Sequence, residues 1–375
     1  MAVNAYLFLR GWKVMKTTAR PAKTVYCVVF AVLALSFLVA MLGRNVLLIG
    51  LQKVLYDIGT VWMGYMLYLT MYFVLTDLIL WVIKGKRWKV EGAGRCAQVV
   101  SGYALVSVLL LYGNYQFNHP KIVETEVVVQ KGMAGQARND TALCGTNRQT
   151  LKIVAVSDLH LGVQIDKKRL QKYVQLINAQ QPDAIFIAGD LVDNNVLPLT
   201  LEHMEEEINQ LQAPLGVYFC LGNHEYMSGI DNCKEFLAKT NMTVLIDNAA
   251  MMTENIQIIG RDDIKKGNRP RKSLADIQEI AGQARNDMTT IVLDHEPYNL
   301  EEAEAAGIDL QFSGHTHDGQ LFPFNLLVGN LFEVSYGHKQ KGATNIFVTS
   351  GLGLWGPPFR IGTQSEIVVV RLVIV

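Results

Sequence analysis

The stretch IVAVSDLH, residues 153–160, decides the fold of this chain. It is a short apolar run that ends in a carboxylate and an imidazole. Three later stretches have the same form: IAGDLVD at 187–193, LGNHE at 221–225 and SGHTH at 313–317. Short apolar runs of this kind predict buried parallel strands. Because parallel strands deliver their last residues to one edge of an open sheet, we expect the polar side chains to converge there.

The converging side chains form a set with the chemistry of a metal site. The set comprises Asp158, His160, Asp190, Asn223, His224, His315 and His317, with His295 of IVLDHEP (291–297) as an eighth member. A single histidine is more often a core or surface residue, but unrelated residues do not fall repeatedly at strand exits. Carboxylate, amide and imidazole donors without thiolate indicate Mn, Fe, Zn or Mg. Seven ligands suit two ions that share a carboxylate, about 3.5–4 Å apart.

The ordered series D-x-H, G-D-x-x-D, G-N-H-E, H and G-H-x-H resembles the calcineurin-like metallophosphoesterase superfamily, in its membrane-anchored bacterial-type branch. The resemblance covers residues 151–375. It implies a four-layer α/β/β/α sandwich of two mixed sheets and two divalent metal ions per chain.

The resemblance also implies a role for each motif residue. One metal is held by Asp158, His160 and His317, the other by Asn223, His295 and His315, and Asp190 bridges the two. A metal-bridging hydroxide attacks phosphorus, and the catalytic residue His224 assists the leaving group. The resemblance gives Asp193 no role; we expect its side chain to orient a neighbouring ligand or to cap its loop, with metal ligation as the alternative.

Composition narrows the class of protein. Half of the residues are apolar and the formal net charge is zero, so the sequence has no basic field and nucleic acid is not an expected partner. The five cysteines show no CxxC or paired spacing, which argues against a zinc knuckle and a disulfide framework. The sequence predicts no protein partner.

Three apolar spans precede the motifs, at about 24–43, 58–83 and 97–117, and each is long enough to cross a bilayer as a helix. The predicted organisation is therefore a basic cytoplasmic N-terminus (1–23), a membrane domain (24–117), a short tether with a strand and a surface loop (118–150), and the phosphoesterase domain (151–375). The opening MAVNAYLFLRGW is too short to span, and we expect an interfacial helix or the remainder of a further span there.

Positive charge predicts the orientation of the spans. Arg10, Lys13, Lys16, Arg20 and Lys23 precede the first span, and Lys84, Lys86, Arg87, Lys89 and Arg95 separate the second from the third. Only Arg44 and Lys53 lie in the loop between the first two spans. Because positive loops stay in the cytoplasm, we expect an integral plasma (inner) membrane protein with an extracytoplasmic phosphoesterase domain.

Two further stretches contain candidate substrate contacts. RDDIKKGNRPRKS (261–273) offers Arg261 and Arg271, and GLGLWGPPFRIG (351–362) offers Trp355 and Arg360. A charged run is also what a solvated loop contains, and Trp355 is also suited to packing.

The predicted function is hydrolysis of a phosphoester or pyrophosphate bond, on a lipid-linked or envelope substrate. Two other functions stay open from the sequence: a membrane sensor or binding protein that keeps the fold without turnover, and a nuclease.

Overall fold

The structure is a computed structural model that describes residues 2–16, 18–84, 92–130, 149–263, 271–280 and 288–375. The chain forms two compact units. The first, here called the helical unit, comprises Met1–Asn118 and Gly356–Ile361; the second, the sheet unit, comprises His119–Trp355 and Gly362–Val375. The predicted surface loop before residue 149, and most of the basic run 261–273, lie outside the described residues.

The helical unit contains long apolar helices. Its helices are α1 (Ala2–Val14), α2 (Arg20–Leu42), α3 (Ile49–Lys84) and α4 (Gly92–Asn118). Among the described residues, three stretches are long and apolar enough to cross a membrane: Arg20–Leu42, Ile49–Ile83 and Gly92–Asn118. They overlap the three predicted spans, and each begins four to nine residues earlier than predicted.

Helix α1 packs within the helical unit through polar contacts as well as apolar ones. Trp62 Nε1 donates to Asn4 Oδ1 at 2.9 Å. Arg10 forms an ion pair with Asp77, whose Oδ1 also accepts from Gln98 Nε2 at 3.1 Å. Charged groups among apolar helices are expensive to bury unless paired, so this contact fixes α1 against α3. The opening segment is thus a helix that packs within the helical unit, and its position relative to a bilayer stays a prediction.

The segment Gly356–Ile361 packs against α3 and α4 inside the helical unit. Arg360 N donates to Gly113 O at 2.9 Å, and Asn114 Nδ2 donates to Pro358 O at 3.0 Å. A Cβ added at Gly64 would lie 2.8 Å from the Phe359 ring. The absence of a side chain at this position of α3 therefore lets the segment approach closely.

The sheet unit alternates strands and helices. Its strands are β1 (Lys121–Val129), β2 (Gln149–Val156), β3 (Ala184–Ala188), β4 (Val217–Cys220), β5 (Thr243–Leu245), β6 (Asn248–Thr253), β7 (Ile256–Gly260), β8 (Thr289–Leu293), β9 (Leu310–Ser313), β10 (Gly337–Lys341), β11 (Thr344–Val348) and β12 (Glu366–Ile374). Its α-helices are α5 (Lys167–Asn178), α6 (Leu197–Leu201), α7 (Met204–Ile208), α8 (Asn223–Met227), α9 (Ile230–Leu237), α10 (Leu274–Ile280), α11 (Leu300–Ala305) and α12 (Phe324–Leu331).

The strands form two six-stranded sheets, in the orders β1-β12-β2-β3-β4-β5 and β10-β11-β9-β8-β7-β6. Both sheets are mixed: β12 runs antiparallel to β2, and β10 antiparallel to β11, beside parallel pairs. Side chains from both sheets share one core, with Phe186 and Val370 from the first and Ile291 and Phe312 from the second. The predicted sandwich of two mixed sheets is confirmed.

Helices cover the outer faces of the sandwich. Ile185 alternates with Phe186 along β3, so it points away from the shared core, yet it is fully buried. On the other sheet, Leu274 of α10 and Ala303 of α11 cluster with Val292 of β8. The arrangement is therefore helix, sheet, sheet, helix.

Strand order explains why the motifs meet. The parallel strands β2, β3 and β4 end two or three residues before Asp158, Asp190 and Asn223. In the second sheet, β8 and β9 end two residues before His295 and His315. Each motif thus leaves the carboxyl end of its strand, where α/β sheets bind their ligands.

Candidate metal centre

The first group of ligand atoms lies after β2 and β9. His160 Nε2 and His317 Nε2 are 3.1 Å apart, and His317 Nε2 lies 3.5 Å from Asp158 Oδ1. One donor atom from each of these three residues lies within 4.8 Å of the others. All three residues are buried or half-buried, so the group is a confined set of two imidazoles and one carboxylate.

The second group lies after β4, β8 and β9. Asn223 Oδ1 is 2.9 Å from His315 Nδ1 and 3.2 Å from His295 Nε2. The Asn223 amide nitrogen donates to Met227 Sδ at 3.7 Å, which turns the amide oxygen toward the imidazoles. This group therefore presents one amide oxygen and two ring nitrogens to a common point.

Asp190 lies between the two groups. Its Oδ2 is 3.1 Å from His295 Nε2 and 3.7 Å from His160 Nε2. Its Oδ1 accepts a hydrogen bond from the backbone of His224 at 2.9 Å. One oxygen is thus held by the backbone while the other faces both groups.

The backbone is strained at most of the converging residues. Positive φ angles of 48–69° occur at Asp158, His160, Asp190, His315 and His317. Residues other than glycine adopt this left-handed region rarely and at some cost, and they keep it where the surrounding structure enforces it. Five strained residues in one place indicate that the strand exits are shaped to aim these side chains.

Two glycines allow the loops to close around the carboxylates. A Cβ at Gly222 would collide with Asp190 Oδ1, and a Cβ at Gly314 would collide with Ser157 and Asp158. The G-N-H-E and G-H-x-H motifs need glycine at these positions because the next loop passes so close.

The imidazoles are oriented through their second ring nitrogens. His295 Nδ1 donates to Ala188 O at 2.8 Å. His160 Nδ1 lies 3.6 Å from Asp193 Oδ1, and His315 Nε2 lies 3.5 Å from Glu296 Oε1. The hydrogen bond to Ala188 fixes the tautomer of His295 and leaves its Nε2 for ligation, and a carboxylate lies near the second ring nitrogen of His160 and of His315. Glu296 was missed from the sequence, and its position directly after His295 is the only signal that marks it.

Glu225 was also missed. It is fully buried and accepts backbone N–H bonds from Gly222 (2.7 Å), Val192 (3.0 Å) and Asp190 (3.1 Å). Burial raises the pKa of Glu225 to about 7, and the nearby charge of Asp190 contributes in the same direction. Its carboxylate joins the loop after β3 to the loop after β4, and it is the last letter of the G-N-H-E motif.

His224 lies at the edge of both groups. Its Nδ1 donates to the backbone oxygen of Asp193, so its Nε2 is free to face the cluster. The ring packs edge-to-face on His160, with 4.5 Å between centroids. Burial lowers the pKa of His224, and the charge of His160 contributes to the same shift. One of its ring nitrogens also lies within 4.8 Å of donor atoms of His160 and Asp190.

The electrostatics and the donor chemistry suit cations. Burial raises the pKa of Asp158. Burial also opposes ionisation of Asp190, but the neighbouring imidazoles, that of His295 first, hold the pKa of Asp190 below its ordinary value. Two buried carboxylates, one amide oxygen and four imidazole nitrogens are hard and intermediate donors of the kind that Mn, Fe, Zn and Mg bind. The residues therefore fit divalent metal ions.

Comparison with known proteins agrees with this chemistry. The family model for calcineurin-like phosphoesterases matches residues 151–319. A metallophosphoesterase of Aquifex aeolicus is 31% identical over 224 residues, which are 59% of this chain and 85% of that protein. The chain belongs to the metallophosphoesterase family.

Two further relatives come from a bacterium and from a vertebrate. A Campylobacter jejuni metallophosphoesterase is 35% identical over 60% of this chain and 60% of its own length. A zebrafish relative, named transmembrane protein with metallophosphoesterase domain, is 30% identical over 73% of this chain and 62% of its own length. The chain thus spans about 60% of the length of these two relatives. In this metallophosphoesterase itself, the described residues contain three helices that are long and apolar enough to cross a membrane, which indicates a membrane protein.

The four candidate substrate contacts of this metallophosphoesterase lie in different surroundings. Arg261 is buried and pairs with Glu302 at 3.3 Å, and Arg271 pairs with Asp294. Trp355 is 43% exposed, and its backbone is hydrogen-bonded to the Gln320 side chain. Arg360 is fully buried in the helical unit. Contact of any of the four with substrate stays a prediction.

Proposed function

We propose that this metallophosphoesterase hydrolyses a phosphoester or pyrophosphate bond with two divalent metal ions. The observation that supports it most directly is the position of Asp190, whose Oδ2 faces both groups of donor atoms. A carboxylate between two sets of imidazoles is suited to two ions and unnecessary for one.

The proposed ligands follow the two groups. Asp158, His160 and His317 would hold one ion, Asn223, His295 and His315 the other, and Asp190 both. The ions, when bound, supply positive charge to the phosphoryl group and lower the pKa of water. Mn, Fe, Zn and Mg are the candidates that these donors favour.

His224 is the proposed catalytic residue. Its Nδ1 proton is held by the Asp193 carbonyl, which fixes the ring and leaves Nε2 to face the site. A phosphoryl anion beside Nε2 favours a proton there and so opposes the effect of burial on the His224 pKa. From Nε2 the proton can pass to the departing oxygen.

The proposed substrate is lipid-linked or part of the cell envelope. The support is the short link between the last apolar helix and the sheet unit. Asn118, the last residue of α4, is only three positions before Lys121, the first residue of β1. Lysine and arginine are in excess from Arg10 to Lys23 and again from Lys84 to Arg95. This excess favours a plasma-membrane protein whose sheet unit is extracytoplasmic.

The test is hydrolysis of bis-p-nitrophenyl phosphate by the purified full-length chain after reconstitution with Mn(II). We expect two metal ions per chain and turnover, and we expect Asp190→Asn to hold fewer than two ions and to lose most activity. Asp231→Asn, at an exposed position of α9, is the matched control. Bound metal without turnover on any phosphoester would contradict the proposal and favour a sensor. Turnover confined to DNA, with salt-dependent affinity, would favour a nuclease.

A further inference from the structure

Helix α12 is an apolar helix of the sheet unit that packs poorly against its own unit. Its sequence is FNLLVGNL, and no residue from 322 to 333 is buried, a stretch that the structure describes completely. The exposed fractions are 43% for Phe322, 42% for Phe324, 57% for Leu326, 59% for Leu327 and 73% for Leu331. Five large apolar side chains exposed within ten residues mark a surface that binds something apolar. We call these five residues the α12 face.

The α12 face is attached directly to the metal centre. His317 begins the short turn that ends at Gly319, and a Cβ at Gly319 would collide with the backbone of Asn325 in α12. After α12, the Phe332 ring lies 6.0 Å from the His315 ring and 4.9 Å from the Tyr298 ring, measured between centroids. Whatever covers the α12 face therefore lies beside the two histidines of the G-H-x-H motif.

Other features of the chain indicate that a lipid bilayer covers the α12 face. Its described residues include three helices that are long and apolar enough to span a membrane, and β1 of the sheet unit begins three residues after the last of these. The covalent link between the last apolar helix and the sheet unit is therefore only a few residues long.

A second link constrains the region next to α12. Gln320 is hydrogen-bonded to Trp355, and a Cβ at Gly362 would touch Phe322 at 3.2 Å. Trp355 and Gly362 are the sequence neighbours of Gly356–Ile361, the segment that belongs to the helical unit. The start of the α12 face is thus joined through short stretches of chain to the part of the protein that the membrane holds.

The composition of α12 also suits a lipid surface. Residues 319–332 contain no charged side chain, and the helix has asparagines at 325 and 330 between its apolar residues. A short helix of this kind lies in the interfacial region, with its apolar side chains among the acyl chains and its polar groups at headgroup level. A soluble protein partner would have to compete with a bilayer that is tethered alongside.

We propose that the α12 face inserts into the bilayer that anchors the chain, and so holds the candidate metal centre at the level of lipid headgroup phosphoesters. The substrate class is then a phosphoester or pyrophosphate carried on a membrane lipid. The substrate part of this inference rests on the proposed function, whereas insertion of the α12 face does not.

Insertion is tested by fluorescence on the full-length chain in lipid nanodiscs. Cys27, Cys96 and Cys144 are replaced by serine, and an environment-sensitive dye is attached to Leu327→Cys or Leu331→Cys. The control is Leu201→Cys, a leucine of α6 that is 58% exposed. We expect lipids with nitroxide-labelled acyl chains to quench the dye on α12 and to spare the dye on α6. Equal quenching at both positions, or none on α12, would overturn the proposal, as would α12-to-α12 crosslinking between copies in place of quenching.

The substrate class is tested with the double variant Leu327→Asp/Leu331→Asp in vesicles. We expect kcat/KM to fall by about tenfold or more for a phosphoester on a vesicle lipid, because charged side chains disfavour insertion. Hydrolysis of soluble bis-p-nitrophenyl phosphate should change little. An equal loss on both substrates would overturn the headgroup assignment. If the parent chain hydrolyses neither, the proposed function fails, and the fluorescence result still decides insertion.

Discussion

At the scale of single residues, the contacts of Asp190 show what positions a proposed metal ligand. Asp190 receives a backbone hydrogen bond from His224, its own N–H is held by Glu225, and Gly222 leaves room for its side chain. Each of these contacts fixes where the Asp190 oxygens point. The contacts around a ligand therefore determine whether one oxygen can face both groups of donors.

His224→Ala separates two roles for this histidine. Loss of an imidazole that protonates the leaving oxygen should slow hydrolysis of alkyl esters by about 10²–10⁴-fold. The loss should be far smaller for p-nitrophenyl esters, whose leaving group needs little protonation, and bound metal should stay at the parental level. Rates for both ester classes and metal content by elemental analysis check this. Equal losses would favour charge stabilisation, and loss of metal would make His224 a ligand.

Glu225→Ala should destabilise the sheet unit strongly. The substitution leaves three backbone N–H groups without their acceptor in a fully buried place, and each such group costs about 1–3 kcal/mol. We expect unfolding of the full chain in urea at a clearly lower concentration, with weaker metal binding. Glu235→Ala, at an exposed position of α9, is the matched control. Parental stability of the Glu225 variant would show that water replaces the carboxylate without cost.

The sequence predicted the residues of the site that carry metal-donor groups, and missed residues whose role is to position them. Asp158 and His295 carry donor groups directly after apolar runs, so motif spacing identifies them. Glu225 and Glu296 act on the backbone and on a neighbouring ring, and nothing in their residue type separates them from surface glutamates. The left-handed backbone at the site also has no signature, because Asp and His accept it without glycine.

At the scale of elements, the sequence predicted the strands that have a clear apolar run and missed elements that are short or exposed. The buried strands β2, β3 and β8 follow from their apolar runs. Between Leu197 and Ile208 the chain forms two short helices, α6 and α7, because it breaks at His203, which has φ 50°, and no glycine or proline marks that break in the sequence. β10 was missed because its GHKQK sequence is mostly exposed and has no apolar alternation. α12 was missed because its eight residues are too few to separate a helical period from a short apolar run.

Strand β1 gives an element-scale prediction with its own control. β1 pairs with β12 over nine residues, and Val127 is 1% exposed whereas its neighbour Val128 is 48% exposed. Val127→Asp places an unpaired carboxylate in the shared core, which should cost about 3 kcal/mol or more. Val128→Asp should change stability by about 0.5 kcal/mol or less. Thermal unfolding of both variants checks this, and similar melting temperatures would mean that β1 is not part of the core.

At the scale of the whole molecule, membrane orientation decides which substrates the site can meet. The predicted orientation depends on lysines and arginines around the spans. Arg10 is one of them, but it forms an ion pair with Asp77 inside the helical unit, so part of its charge is cancelled there. Lys13, Lys16, Arg20 and Lys23 remain before or at the start of α2, against Arg44 after α2 and Lys53 in the first turns of α3. The balance still favours a cytoplasmic N-terminus.

Reporter fusions after Val375 test this orientation in a bacterial host. With the first basic segment in the cytoplasm, three spans place everything after Asn118 on the opposite side. Alkaline phosphatase, which is active only outside the cytoplasm, should therefore give a strong signal, and green fluorescent protein a weak one. Replacing Lys13, Lys16 and Lys23 by glutamine should weaken the bias, because lysine and arginine near the spans set orientation. Strong fluorescence from the parental fusion would reverse the orientation and place the metal centre, together with any lipid headgroup that it meets, on the cytoplasmic face of the membrane.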